Sequence, residues 1–147
     1  MKIYLGADHR GFRLKEDLKN FLQTNGHDIE DCGALEIVSN DDYVDFAKSV
    51  AEKISINQDS RGIVVCGSGV GVDVVANKID GIRCGLGFKL DQVKAARSDD
   101  DINVLALASD FTVYEEAKEL VETFLQTEFN PTENHKRRIE KIKELEI

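Results

Sequence analysis

The chain has little that would staple, kink or anchor it. Its 147 residues include one proline, no tryptophan and three cysteines. An odd number of cysteines, with Cys32, Cys66 and Cys84 far from the paired spacing of a zinc site, predicts free thiols in a reducing compartment. No apolar run approaches the ~20 residues that span a bilayer. Met1-Lys2 leads directly into a strand pattern, so no targeting segment is expected and the expected location is cytoplasmic. Positive charge is also scarce. Lys and Arg number 19 against 28 Asp and Glu, a formal charge of −9, and no basic patch is interleaved with aromatics. That balance argues against nucleic acid or an anionic membrane as partner. It leaves a small phosphorylated ligand open, because one site can be positive inside an acidic protein.

Dinucleotide and P-loop signatures are missing too. Gly6 to Gly11 holds two glycines only, and no GxxxxGK[ST] element occurs. What is present is 41% hydrophobic residues in a regular rhythm, enough for one domain over 1–147 with a single core. Strand patterns at Ile3–Ala7, His27–Asp31, Ile63–Cys66, Gly81–Leu86 and Ile102–Ala108 alternate with helix patterns at Gly11–Asn25, Tyr43–Ile56, Val72–Lys78, Leu90–Arg97 and Val113–Thr127. The βαβ order predicts an α/β fold, a parallel sheet between helices, with function beyond the C-terminal strand ends. After Asn130-Pro131-Thr132 a last helix pattern, Glu133–Leu145, carries five basic residues and few apolar ones. This tail, 132–147, is expected to contact a partner subunit; an ordinary capping helix is the plainer alternative.

The third strand ends in the most informative segment, Cys66-Gly67-Ser68-Gly69-Val70-Gly71. Glycines here free backbone N–H groups beside a helix start, a ready site for an anion or a developing oxyanion. The same field favours a thiolate at Cys66. A buried, inert cysteine beside an ordinary βα turn is the competing reading. Asp8-His9 ends the first strand, where a carboxylate beside an imidazole can hold a sugar oxygen and move a proton near neutral pH; helix capping by Asp8 would explain it equally. His135 beside Lys136, Arg137 and Arg138 forms a cluster able to hold phosphate, or a solvated face. Asp99-Asp100-Asp101 reads as a loop and helix-end cluster, since consecutive carboxylates cannot all turn inward around a metal.

Taken with Gly6-Ala7-Asp8-His9, Asp31-Cys32-Gly33, Tyr43 with Asp45, Ala76-Asn77-Lys78, Gly81-Ile82-Arg83 and Asn103-Val104-Leu105-Ala106, the glycine segment resembles the ribose-5-phosphate isomerase B family, which includes the galactose-6-phosphate isomerase subunits. The resemblance spans essentially the whole chain. It implies a Rossmann-like three-layer α/β/α sandwich with five parallel strands, and a homodimer or homotetramer whose C-terminal helix reaches the neighbour. It also implies aldose–ketose isomerisation of a small phosphorylated sugar, with no metal and no cofactor. Cys66 matches the base that shuttles a proton between C2 and C1, and Ser68 with the loop N–H groups would stabilise the enediolate. His9 and Asp99 complete the implied catalytic set. Asp8, Arg10, Tyr43, Gly67, Gly69, Val70, Gly71, Asn103, His135 and Arg138 fall at substrate-contacting positions. Three departures stand out: Asp99 replaces a ring-opening histidine, and Asp110 and Asn134 replace arginines. They leave galactose 6-phosphate or another sugar phosphate as alternative substrates, and a non-catalytic partner subunit as an alternative role. A thiol-redox module built on Cys66 and Cys84 is the most distant alternative.

Overall fold

The structure is a computed structural model that describes residues 1–146. Its strands are β1 (Lys2–Ala7), β2 (Asp28–Asp31), β3 (Arg61–Cys66), β4 (Cys84–Leu86) and β5 (Val104–Ala108). Between and after them run α1 (Phe12–Thr24), α2 (Tyr43–Ile56), α3 (Val70–Ala76), α4 (Leu90–Asp100), α5 (Tyr114–Gln126) and α6 (Glu133–Lys143). All four strand pairings are parallel, in the order β2-β1-β3-β5-β4.

Alternation along the strands builds the layers, because successive side chains point to opposite faces. Ile3, Leu5, Ile63, Val65, Leu105 and Leu107 join one buried cluster with Leu14 and Leu18 of α1, Val93 of α4 and Phe124 of α5. Val64, Cys66, Val104 and Ala106 face the other way, into a cluster with Val50 and Ile54 of α2 and Val72 of α3. The expected three layers are therefore present, with α1, α4 and α5 on one face of the sheet and α2 and α3 on the other. Cys66 emerges on the α2/α3 side. Helix α2 can sit close because Gly6 and Gly62 lack side chains: a Cβ at either position would lie 2.8 Å from a methyl of Val50.

Most element boundaries differ from the sequence pattern by one to three residues, and three of these differences have a visible cause. The fourth strand shrinks from Gly81–Leu86 to Cys84–Leu86, because Gly81 turns at φ +83° and the Arg83 N–H is taken by the Asn103 side chain. Helix α3 starts at Val70, two residues early, since Gly69 at φ +74° already closes the loop. Helix α4 continues past Arg97 to Asp100, so Asp99 and Asp100 are helical, and Asp101 caps it at φ +49°. Asp101 is held there by Arg97 at 2.8 Å and Arg83 at 3.0 Å.

Beyond α5, α6 is capped by the Thr132 hydroxyl, which accepts from the His135 N–H at 3.2 Å, and it buries Ile139. The expected tail ends at Ile147, which lies outside the described residues. Among the described residues, no helix is long and apolar enough to cross a membrane.

Candidate active site

Strand order reverses at β1, with β2 on one side and β3 on the other, and the crevice above such a reversal is where open α/β sheets bind ligands. Asp8 and Cys66 stand at its two walls. They share a cleft of about 350 Å³ with Arg10, Tyr43, Ser68 and Val70. Gly67, Gly71 and Val74 complete the lining. That space suits a small polar ligand.

Backbone bonds stitch the three strand exits together. The Ser109 N–H donates to the Cys66 carbonyl at 2.9 Å, and the Asp110 N–H to the Gly67 carbonyl at 3.0 Å. The Ser109 hydroxyl donates to the Arg10 carbonyl at 2.9 Å. Cys66 is thus 5% exposed on a rigid strand end. Among the described residues, the N–H groups of Ser68, Gly69 and Gly71 make no backbone bond in this turn, and that of Val70 meets only the Ser68 hydroxyl, at 3.3 Å. Donors left free beside a thiol can stabilise negative charge on a ligand oxygen. Glycine is required at Gly69, where φ is +74° and a Cβ would lie 3.0 Å from the Leu107 backbone. A side chain at Gly67 would displace the Arg10 guanidinium, and one at Gly71 would meet the Tyr43 ring.

Asp8 is 5% exposed, and its Oδ1 accepts from the N–H groups of Arg10 and Gly11 at 3.1 and 3.0 Å. It holds the turn into α1 without capping that helix, whose N-cap is Gly11. His9 is held by Asp41, a residue the sequence pattern did not single out. Asp41 Oδ1 accepts from the His9 backbone N–H at 3.0 Å and lies 2.7 Å from its Nδ1. The other carboxylate oxygen of Asp41 is buried without a hydrogen-bond partner among the described residues. Asp8, His9 and Asp41 bring three potential ligand atoms within 4.8 Å. The 2.7 Å His9–Asp41 contact is a hydrogen bond, however, which leaves no room for an ion between them. Arg10, expected to contact substrate, pairs with Asp110 across the cleft mouth.

The remaining candidates lie elsewhere in the chain. Asn103 precedes β5, whose five residues put it on the order of 16 Å from the Cys66 end of the sheet. It is 3% exposed, and its amide is already used, donating to the Gly81 carbonyl at 2.8 Å and accepting from the Arg83 N–H at 2.8 Å. Within the chain it is a clamp on the β4 entry and does not join the Cys66 cleft. Asp99 and His135 meet at that same lower end, 3.6 Å apart, with His135 Nδ1 2.7 Å from the Asn130 carbonyl. Arg138 is exposed, with no hydrogen bond or ion pair among the described residues. Cys84 lies on β4, two strand spacings or roughly 9–10 Å from β3, too far for a disulfide with Cys66. Burial, and then the neighbouring Asp73 carboxylate, push the Cys84 thiol well up.

Comparison with known proteins places this architecture. The profile of the Ribose/Galactose Isomerase family matches residues 3–142. A probable ribose-5-phosphate isomerase B of Mycoplasma genitalium is 39% identical over 141 residues, covering 95% of this chain and 92% of that protein. The crystal structure of ribose-5-phosphate isomerase B from that organism, with bound ribulose 5-phosphate, superposes with a TM-score of 0.94 at 38% identity, covering 97% of this chain and 94% of that one. The Clostridium thermocellum enzyme gives 0.95 at 37% identity, covering 99% and 97%.

Proposed function

The chain belongs to the ribose/galactose isomerase family, and from that premise we propose that it interconverts ribose 5-phosphate and ribulose 5-phosphate. The supporting observation is that Cys66, at a stitched strand end, shares one cleft with the Ser68 hydroxyl and unspent loop N–H groups. The step needs one base reaching two carbons and a group for negative oxygen. In the open-chain aldose the Cys66 thiolate takes the proton from C2, and the electron pair moves through C1 to the carbonyl oxygen. The resulting enediolate is met by Ser68 and the loop N–H groups. The thiol then returns its proton to C1 while the hydroxyl proton leaves O2 and one is gained at O1. The formula is unchanged, and Cys66 is again a thiolate.

His9, oriented by Asp41, assists ring opening through Nε2, the ring nitrogen that Asp41 leaves free. Tyr43 and Asp8 line the sugar, and Arg10 receives the phosphate by exchanging it for Asp110. Asp99, His135 and Arg138 sit at the far end of their own sheet, which favours a homodimer in which they complete the neighbour's cleft. A hexose phosphate such as galactose 6-phosphate is the second reading, left open because Asp110, paired with Arg10, stands where the resemblance implies an arginine.

Incubating the purified protein with ribose 5-phosphate and with galactose 6-phosphate, and resolving aldose from ketose, tests both. Conversion of ribose 5-phosphate that disappears in a folded Cys66→Ala variant is expected. Turnover retained in that variant refutes the base, and preferential conversion of the hexose phosphate replaces the first reading with the second.

A further inference from the structure

Strands β3, β4 and β5 begin at the end of the sheet remote from Cys66, with Arg61 opening β3 and Arg83 immediately before β4. Together with the inner side of α6 they enclose a cavity of about 460 Å³, whose charged lining is Arg61, Arg83, Lys136 and Lys143 against Asp101 and Glu140. The lining is therefore positive in a chain of net charge −9. Arg97, 3% exposed, adds a further cation behind it.

These charges are unevenly satisfied. Asp101 is shared between Arg83 at 3.0 Å and Arg97 at 2.8 Å. Glu140 answers Lys143 at 3.3 Å. Arg61 has no carboxylate at ion-pair distance among the described residues, and its one hydrogen bond runs from Nη1 to the Ser60 carbonyl at 2.9 Å. Burial, followed by the charge of Arg97, pulls its guanidinium below the usual arginine range, with Asp101 and Asp59 opposing the shift. A guanidinium partly withdrawn from water is costly unless an anion meets its planar fork.

We propose that this cavity is a second binding site, taking a small phosphate-bearing anion between Arg61 and Arg83, with Lys136 and Lys143 closing over it from α6. Its volume suits inorganic phosphate or a small phosphate ester. Such an anion would bridge α6 to the strand entries and neutralise Arg61 without displacing any ion pair of the cavity floor.

The test is an amide NMR titration of the intact protein with inorganic phosphate and, separately, with ribose 5-phosphate, against sodium chloride at matched ionic strength. Signals of Arg61, Gly62, Arg83 and Asn103 report this site, and those of Gly67 to Gly71 report the Cys66 cleft. Saturable shifts at the strand entries, weakened at least tenfold in Arg61→Gln while the cleft signals respond as before, are expected. Saturation at lower concentration by the sugar phosphate assigns the site to an ester, and by phosphate to the free ion. No saturable shift, a response matched by chloride, or one that survives Arg61→Gln overturns the proposal. If Arg61→Gln does not fold, Lys143→Gln, at a solvent-accessible residue of the cavity lining, decides: weaker binding supports the site, and unchanged binding overturns it.

Discussion

Replacing Asp110 by asparagine should make the protein bind its phosphorylated substrate more tightly. Arg10 reaches across the cleft mouth to the Asp110 carboxylate, with side chains 56% and 40% exposed. A pair so open to water is worth about 0.2–1 kcal/mol, and a phosphate approaching Arg10 must displace it. Asp110 also repels the incoming phosphate. At about 6 Å in a water-like dielectric that repulsion is ~0.7 kcal/mol per unit charge, less in salt. Removing both effects should lower KM by about two- to twelvefold, equivalent to roughly 0.5–1.5 kcal/mol. Because the phosphate is held equally in ground and transition states, kcat should change little. The assay is steady-state kinetics on ribose 5-phosphate at low and high salt for Asp110→Asn, Arg10→Ala and the double variant. Arg10→Ala should raise KM, and Asp110→Asn should lose most of its benefit in that background. An unchanged or raised KM in Asp110→Asn alone would refute the exchange, and would make the pair itself the element that contacts substrate.

Asp41→Ala should lower kcat more than it raises KM, because His9 loses its orientation. Asp41→Asn, which can still accept from Nδ1, should recover part of the rate, and equal losses in the two variants would exclude a positioning role. Lys15 is a buried lysine whose Nζ lies 2.7 Å from Asp31; Lys15→Met should cost about 3 kcal/mol in chemical denaturation, the low end for breaking a buried pair because Lys19 still holds Asp31. Burial is the largest influence on the Asp31 carboxyl and raises it, but the Lys15 and Lys19 bonds, the Gly33 N–H and the Lys15 charge together leave it below the usual carboxylate range. A depressed folded value contributes stability that is complete above the unfolded value of about 3.9 and is lost as pH falls through the folded one. The stability gap between wild type and Asp31→Asn should therefore narrow below about pH 4, and a gap constant with pH would contradict the pairing. Mixing Arg138→Ala chains with Cys66→Ala chains should restore part of the activity if Arg138 serves the neighbouring cleft; absence of rescue in demonstrated mixed oligomers would place Arg138 outside it.

Much of this fold could be read from local pattern. Arg61–Cys66 and Val104–Ala108 are apolar on both faces, as central parallel strands must be, and α2 runs over the residues its periodicity marks. The failures came where a tertiary bond outweighed the pattern. Ile82 and Arg83 look like strand, but Asn103 holds the Arg83 N–H from 20 residues away and delays β4. Asp99 and Asp100 look like a loop, and Arg97 and Arg83, by holding Asp101, let α4 carry them. The site divides in the same way. Cys66 to Gly71 is contiguous, and its chemistry follows from adjacent residues; the partners of Arg10 and His9 are separated from them by 100 and 32 residues. Nothing in a local window reports such a pairing.

Those distant pairings share one feature that bears on selectivity. Arg10 has Asp110, His9 has Asp41 and His135 has Asp99, so each of these three basic side chains already faces a carboxylate. Lys136 faces Glu133 at 3.5 Å. A ligand can use Arg10 or Lys136 only by exchange, and only an anion offers a guanidinium an equivalent partner. A neutral sugar would leave every pair intact and gain little, whereas a phosphate ester can replace Asp110 at Arg10. The carboxylate at 110 therefore weakens phosphate binding at Arg10 and leaves a neutral sugar unaffected, the same sign that the Asp110→Asn prediction tests. Arg138 is the exception in this group, exposed and without a partner among the described residues. Arg138 can meet an anion without first giving up a bond, which is why the mixed-chain experiment is directed at it.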